Sequence, residues 1–223
     1  MSLIASDSGG GSSFTPVPPG LHMARCYRIV DLGTQKTTFN GELKHQHKIM
    51  LQFEVHGEDD KGAPLVTPKG EPMSISKNYT LSLSDKATLR ADLQAWRGEA
   101  FNAEELRGFD IRKVLGKWAM IAVGTAVGKD GKTYTNILNL NPVPKVLKDT
   151  LPVPHNPAAI FSITNPDMDL FNSFSNSLRE KISASPEWQS RDDPAKLRSD
   201  QAAKAQKQPA SSGFDDMDDD IPF

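Results

Sequence analysis

The stretch Lys44-His45-Gln46-His47-Lys48-Ile49-Met50-Leu51-Gln52-Phe53-Glu54-Val55 decides the fold. Side chains alternate across an extended chain, so Ile49, Leu51, Phe53 and Val55 share one face and Lys48, Met50, Gln52 and Glu54 the other. A helix would scatter the four apolar residues around its axis. The pattern predicts a strand over about 44–55 with one apolar face, which must be buried against something.

Upstream, Cys26, Tyr27, Ile29, Val30 and Leu32 favour a strand over about 21–32, because β-branched and aromatic residues suit a pleated surface. Gly33 reads as its breaker, and residues 34–41 carry loop chemistry. Downstream, residues 57–72 form a charged, Gly/Pro-rich loop, and residues 73–81 return to strand character with Ile75 and Tyr79. Ser84 reads as the cap of a helix over about 85–97, with Leu89, Leu93 and Trp96 at helical spacing and Gly98 as the stop. Asn102 and Glu105 form a capping-box pair for a second, short helix ending near Gly108. Strands over about 117–125 and 133–142 follow, joined by the Asp-Gly-type turn Gly128-Lys129-Asp130-Gly131-Lys132. The order strand, strand, strand, helix, strand, strand predicts a mainly β chain: a five-stranded OB-fold barrel, with the helix between strands three and four closing one end.

The flanks differ in kind. Residues 1–20 are rich in Gly, Ser and Pro and are expected to form a flexible arm, since they bury too little apolar surface to offset chain entropy. After Pro142, a Pro-rich extension over 151–190 contains Asn165-Pro166 as a helix start and the stripe Phe171, Phe174, Leu178, Ile182, running to about Ala184. That helix is expected to dock back on the barrel, with dimerisation or partner binding as the alternative. Residues 191–213 are polar and read as a disordered linker. Residues 214–223 end the chain as a disordered acidic tail.

Across its 223 residues the chain carries a net charge of −2, but unevenly. Residues 1–150 hold 19 Lys and Arg against 16 Asp and Glu, a net of +3; residues 151–223 hold 7 against 12, a net of −5. This asymmetry suits a nucleic-acid-binding body joined to an acidic tail. Cys26 is the one cysteine, which excludes an internal disulfide and a multi-cysteine zinc site and points to a reducing compartment. No apolar run reaches membrane-spanning length, and no basic-then-apolar leader opens the chain, so a cytoplasmic location is expected.

The tail Phe214-Asp215-Asp216-Met217-Asp218-Asp219-Asp220-Ile221-Pro222-Phe223 places five aspartates, with no base after Lys207, against two apolar side chains flanking a proline. An acidic segment that finishes this way has the shape of a ligand for an apolar pocket edged by Arg or Lys. Asp218, Asp219, Asp220, Ile221, Pro222 and Phe223 resemble the C-terminal tip of bacterial-type single-stranded DNA-binding proteins. The segments Ala24–Gly33, Ile75–Leu83, Lys86–Arg90 and Trp96–Gly98 also resemble a group of tailed-bacteriophage proteins. These resemblances imply a phage-encoded relative of single-stranded DNA-binding proteins. It would hold single-stranded DNA on an OB-fold and recruit host or phage replication and recombination proteins through the tip. Five aspartates also mimic a short polyanion, so the tip is expected to compete for the basic groove when DNA is absent.

Binding single strands without sequence preference needs aromatic faces for bases and cations for phosphates. Arg25 with Tyr27, and Lys77 with Tyr79, are two residues apart and so share strand faces. Lys36 and Phe39 lie in the first loop, Lys129, Lys132 and Tyr134 at the last hairpin, and Lys44 and Lys48 on the polar face of strand two. Trp118 opens strand four and could serve DNA or the core. Tyr27 and Tyr79 likewise could stack on bases or fill the core.

No cofactor and no catalytic activity are expected. Ser74-Ile75-Ser76-Lys77 fits Ser-x-x-Lys by letter but lies on a strand without companion motifs. His45 and His47 share a strand face, and a metal-dependent nuclease using them is one alternative. A recombination mediator or adaptor that mimics a host tip and binds DNA weakly is the other. The sequence leaves the oligomeric state open.

Overall fold

The computed structural model describes residues 16–39, 41–128, 131 and 133–191, except for the side chain of Phe39. The chain is organised around β1 (Gly20–Phe39), which takes three partners in turn. Its first six residues pair antiparallel with β4 (Trp118–Val127). From Met23 onward it pairs antiparallel with β2 (Glu42–His56). Where β4 has left, Arg28–Val30 pairs in parallel with the short β6 (Ala159–Phe161).

Two register shifts, between Cys26 and Arg28 and between Asp31 and Gly33, let one strand serve so many neighbours. Each extra residue bends the strand and increases its twist. Gly33, at φ 65°, supplies the left-handed backbone that the second shift uses. Gly33 therefore does not end the strand as its composition suggested. Residues 34–39, expected to form a loop, continue as a hairpin with β2.

The strand path is β3 (Met73–Thr80), β2, β1, β4, β5 (Thr133–Asn141). The two ends of the path approach each other, and Lys77 Nζ donates to the Leu138 carbonyl across the seam at 3.3 Å. No ladder joins β3 to β5 among the described residues, so the sheet is an open antiparallel path.

The face of β2 singled out by its alternation is the core face: Ile49, Leu51, Phe53 and Val55 are all buried. They pack with Ala24, Cys26 and Ile29 of β1 and with Ile121, Val123, Ile137 and Leu140 of the β4–β5 hairpin. The helix α1 (Thr88–Arg97) joins this core through Leu89, Leu93 and Trp96, the last 5.6 Å from Phe53 ring to ring. It begins three residues later than expected, with Ala87 and not Ser84 at its N-cap, and ends at Gly98 in the left-handed region. The short α2 (Ala103–Arg107) carries the anticipated capping box, Asn102 with Glu105. Val17, within the expected flexible arm, is also a core residue.

The other face of β2 corrects the sequence reading. Met50 and Glu54 are buried there, because the C-terminal extension covers them. Phe161, Ile163, Phe171, Phe174 and Ile182 form a second core with Val30, Leu32 and Met50, so the stripe docks back on the sheet. It does so as three short helices rather than one: α3 (Met168–Asn172), α4 (Asn176–Ser183) and α5 (Pro186–Ser190). Asp167, Ser175 and Ser185 cap them in turn. Pro186 lacks an N–H and cannot extend α4, but its fixed φ suits the first turn of α5. None of the described helices is long and apolar enough to cross a membrane.

Candidate nucleic-acid interface

On the seam between β3 and the start of β5 lies an open cleft of about 420 Å³. Gln52 of β2, Ser74 and Ser76 of β3, and Thr133, Tyr134 and Thr135 of β5 line it. β3 alternates with period two, so Ile75 and Tyr79 go to the core while Ser74, Ser76 and Asn78 take the other face. Tyr134 is 47% exposed, which makes it the most accessible tyrosine or tryptophan named above whose ring could receive a base. The cleft thus combines one aromatic face with a set of hydroxyl and amide groups able to meet base edges or sugar oxygens.

Four of the expected DNA contacts sit elsewhere in the architecture. Tyr79 is a core residue at 2% exposure, and its hydroxyl donates to Asp92 Oδ2 at 2.8 Å. Burial, followed by the nearby Asp92 charge, pushes its phenol far above the ordinary range, so it stays neutral. Lys77 gives its ammonium to the same Asp92 at 2.7 Å, which binds β3 to α1 instead of facing phosphate. Arg25 and Tyr27 are both buried. The Arg25 guanidinium lies 3.4 Å from the fully buried Glu54 and donates to the Asn156 carbonyl at 3.0 Å. Tyr27 sits at the register shift, where simple alternation fails, with the Arg28 guanidinium 5.2 Å from its ring centre.

Trp118 is half-buried, tilted against His56 with ring centres 5.1 Å apart, and its carbonyl accepts from Trp96 Nε1 at 2.7 Å. It lies toward the opposite end of the β4–β5 hairpin from Tyr134, so the two rings do not form one platform.

The basic residues of the β1–β2 hairpin are spread along it, Lys36 opposite His45 on one face and Lys44 and Lys48 on the other. Lys36 and Lys44 are exposed, Lys44 lying 3.7 Å from Glu42, and Lys48 is half-buried. Lys181 of α4, which carried no signal in the sequence, lies near Lys48. Burial and then the Lys48 charge hold the Lys181 ammonium below its usual range, which shows that two cations crowd here.

His47 is taken up structurally. Its Nε2 donates to Asp31 Oδ1 at 2.8 Å, and its Nδ1 lies 3.8 Å from Glu187 of α5. Among the described residues no group of three or more His, Cys, Asp or Glu side chains is placed to hold a metal ion. The side chain of Phe39, together with Lys129, Lys132 and residues 218–223, lies outside the described residues.

Gln52, Ser74, Ser76, Thr133 and Thr135 escaped the sequence reading because small polar residues on a strand look like any solvated face. Only the curl that brings β3 to β5 makes them neighbours. Comparison with protein-family models and with curated proteins found no match for this chain.

Proposed function

We propose that this protein is a phage-type single-stranded DNA-binding protein, built on an OB-fold, that protects DNA during replication or recombination. The strand path, the placement of α1 between β3 and β4, and the Lys77 contact across the seam support a barrel of that type. The observation that carries the reading is the β3–β5 cleft with the exposed ring of Tyr134 in it. Tyr134 stacks on a base, the hydroxyls of β3 and β5 meet sugar and base oxygens, and the strand passes cations on either side. Lys48 and Lys181, with Lys36 and Lys44 farther out on the β1–β2 hairpin, supply one set, and Lys129 and Lys132, between β4 and β5 in the sequence, are proposed as the other. Residues 218–223 recruit host or phage enzymes through Asp218–Asp220 and the apolar Ile221, Pro222 and Phe223. No cofactor enters this scheme.

The test is a fluorescence-anisotropy titration of a labelled thymine oligonucleotide of about 30 nucleotides, against a duplex of equal length, at two salt concentrations. Tight, salt-sensitive binding to the single strand, with little to the duplex, is expected. Absence of binding would overturn the reading and favour an adaptor that works through residues 218–223 alone.

A further inference from the structure

Pro16 lines the β3–β5 cleft and stays exposed, while the next residue, Val17, is 1% exposed and packs in the main core. One position further, the Pro18 carbonyl accepts from His22 Nε2 at 2.8 Å. These contacts hold residues 16–18 in place, so the chain before Pro16 departs from a set point on the wall that also carries Tyr134. The residues just before it are Gly9-Gly10-Gly11-Ser12-Ser13-Phe14-Thr15, outside the described residues. Phe14 is the one Phe, Tyr or Trp among residues 1–26. The cleft itself holds a single aromatic ring, and none of its lining residues is Lys or Arg. Affinity inside it must therefore come from stacking and hydrogen bonds, since no cation is there to neutralise phosphate.

We infer that Phe14 is a further single-strand contact: its ring closes over a base stacked on Tyr134, so that one base lies between two rings. The inference rests on the proposed reading of this cleft as the single-strand site. Reach and direction both favour it. Two residues span at most about 7 Å, so Phe14 stays within that distance of Pro16 along the chain. Proline disfavours helical backbone at the residue before it, here Thr15, and in extended chain residues two apart take the same side. Phe14 is thus carried on the side that Pro16 turns to the cleft. At about 420 Å³ the cleft is in the range of sites that enclose small-molecule ligands, which leaves room for a base and a phenyl ring together. Tyr134 alone would leave the second face of that base in water. A phenyl ring covers the face without competing for the base edges, which remain to Gln52, Ser74, Ser76, Thr133 and Thr135.

The experiment titrates a labelled thymine oligonucleotide of about 30 nucleotides with the full chain and with Phe14→Ala, Phe14→Leu, Phe14→Tyr, Tyr134→Ala and the double variant Phe14→Ala with Tyr134→Ala. Phe14→Ala and Phe14→Leu should each weaken binding about fivefold or more, the lower bound for one base–aromatic stack, with the salt dependence and melting temperature unchanged. Phe14→Tyr keeps a ring and should bind like the native chain. The double variant should lose less than the product of the two single losses, because both rings grip the same base. Native affinity in Phe14→Ala would overturn the inference, as would native affinity in Phe14→Leu, where apolar bulk replaces the ring, or losses that simply multiply. Raised affinity in Phe14→Ala would make residue 14 a competitor for the cleft and overturn it equally. If the native chain binds no single strand, the proposed function fails and this inference with it. If it binds and Tyr134→Ala weakens it while Phe14→Ala does not, this inference alone fails.

Discussion

Glu54 has no solvent access, yet its carboxylate is fully engaged. It accepts from the His155 N–H at 3.2 Å, the Asn156 N–H at 2.7 Å and Asn156 Nδ2 at 2.8 Å, with Arg25 beside it. Burial alone would raise its pKa, but the Asn156 and His155 hydrogen bonds outweigh it and leave the group below its ordinary 4.5. A lowered carboxylate contributes stability that is present above the unfolded value and lost as pH falls through the folded one. Acid unfolding monitored by circular dichroism should therefore steepen below about pH 4.5 in the native chain, and less so in Glu54→Gln. Glu54→Ala strands Arg25 in the interior and should cost about 3–5 kcal/mol in a denaturant titration. Tyr134 is the opposite kind of residue, exposed and spared by the core. Tyr134→Ala should weaken single-strand affinity by about 1–3 kcal/mol with an unchanged melting temperature. Tyr79→Phe should lower stability and leave DNA affinity alone; a loss of affinity there would return Tyr79 to the interface.

At the scale of elements, the decisive contact is between the β1–β2 hairpin and the C-terminal helices. A Cβ on Gly33 would lie 2.6 Å from both Cβ and Oγ of Ser185 and 2.9 Å from Ile163 Cδ1. Ser185 cannot yield easily, because it is buried and its Oγ accepts from the Trp188 N–H to cap α5. Gly33→Ala should thus cost about 1–3 kcal/mol, combining backbone strain with overpacking, and loosen α4 and α5 first in hydrogen exchange. The same junction titrates. The Asp31 hydrogen bond raises His47 above its ordinary 6.5 against the opposing effect of burial, and Glu187 adds to the rise. A raised histidine contributes stability fully present below about pH 6.5 and lost as pH rises through the folded value. Glu187 also accepts from the Thr34 N–H at 2.9 Å, which keeps α5 attached at higher pH. Protection of the α5 amides, corrected for intrinsic exchange, should fall between pH 6 and pH 9 in the native chain and stay flat in His47→Gln. Parallel pH profiles for the two would remove His47 from this role.

For the whole molecule, the proposed function assigns nucleic acid to the folded body and partner binding to residues 218–223. Deleting residues 214–223 should leave oligonucleotide affinity equal or raised, and a clear loss in the anisotropy titration would count against that division of roles. The order of elements was legible in the sequence because the signals are local: alternation in Lys44–Val55, helical spacing of Leu89, Leu93 and Trp96, the capping box at Asn102. So was the acidic–apolar character of residues 214–223, which needs no fold to be read. Alternation also correctly assigned Ile49, Leu51, Phe53 and Val55 to a buried face. It could not say what covers the other face, and there Met50 and Glu54 are buried by residues more than a hundred positions away. Alternation placed Arg25 and Tyr27 on one face, but not that both are buried, nor that a bulge at Tyr27 breaks the alternation beyond it. Alternation also could not show that Asp92, on a helix distant in sequence from strand three's pattern, engages the polar groups of both Lys77 and Tyr79. Local sequence determined which segments are strands and helices, since propensity and periodicity act over a few residues. Tertiary structure alone decided which side chains remain for a ligand, since that depends on pairings between residues far apart in the chain.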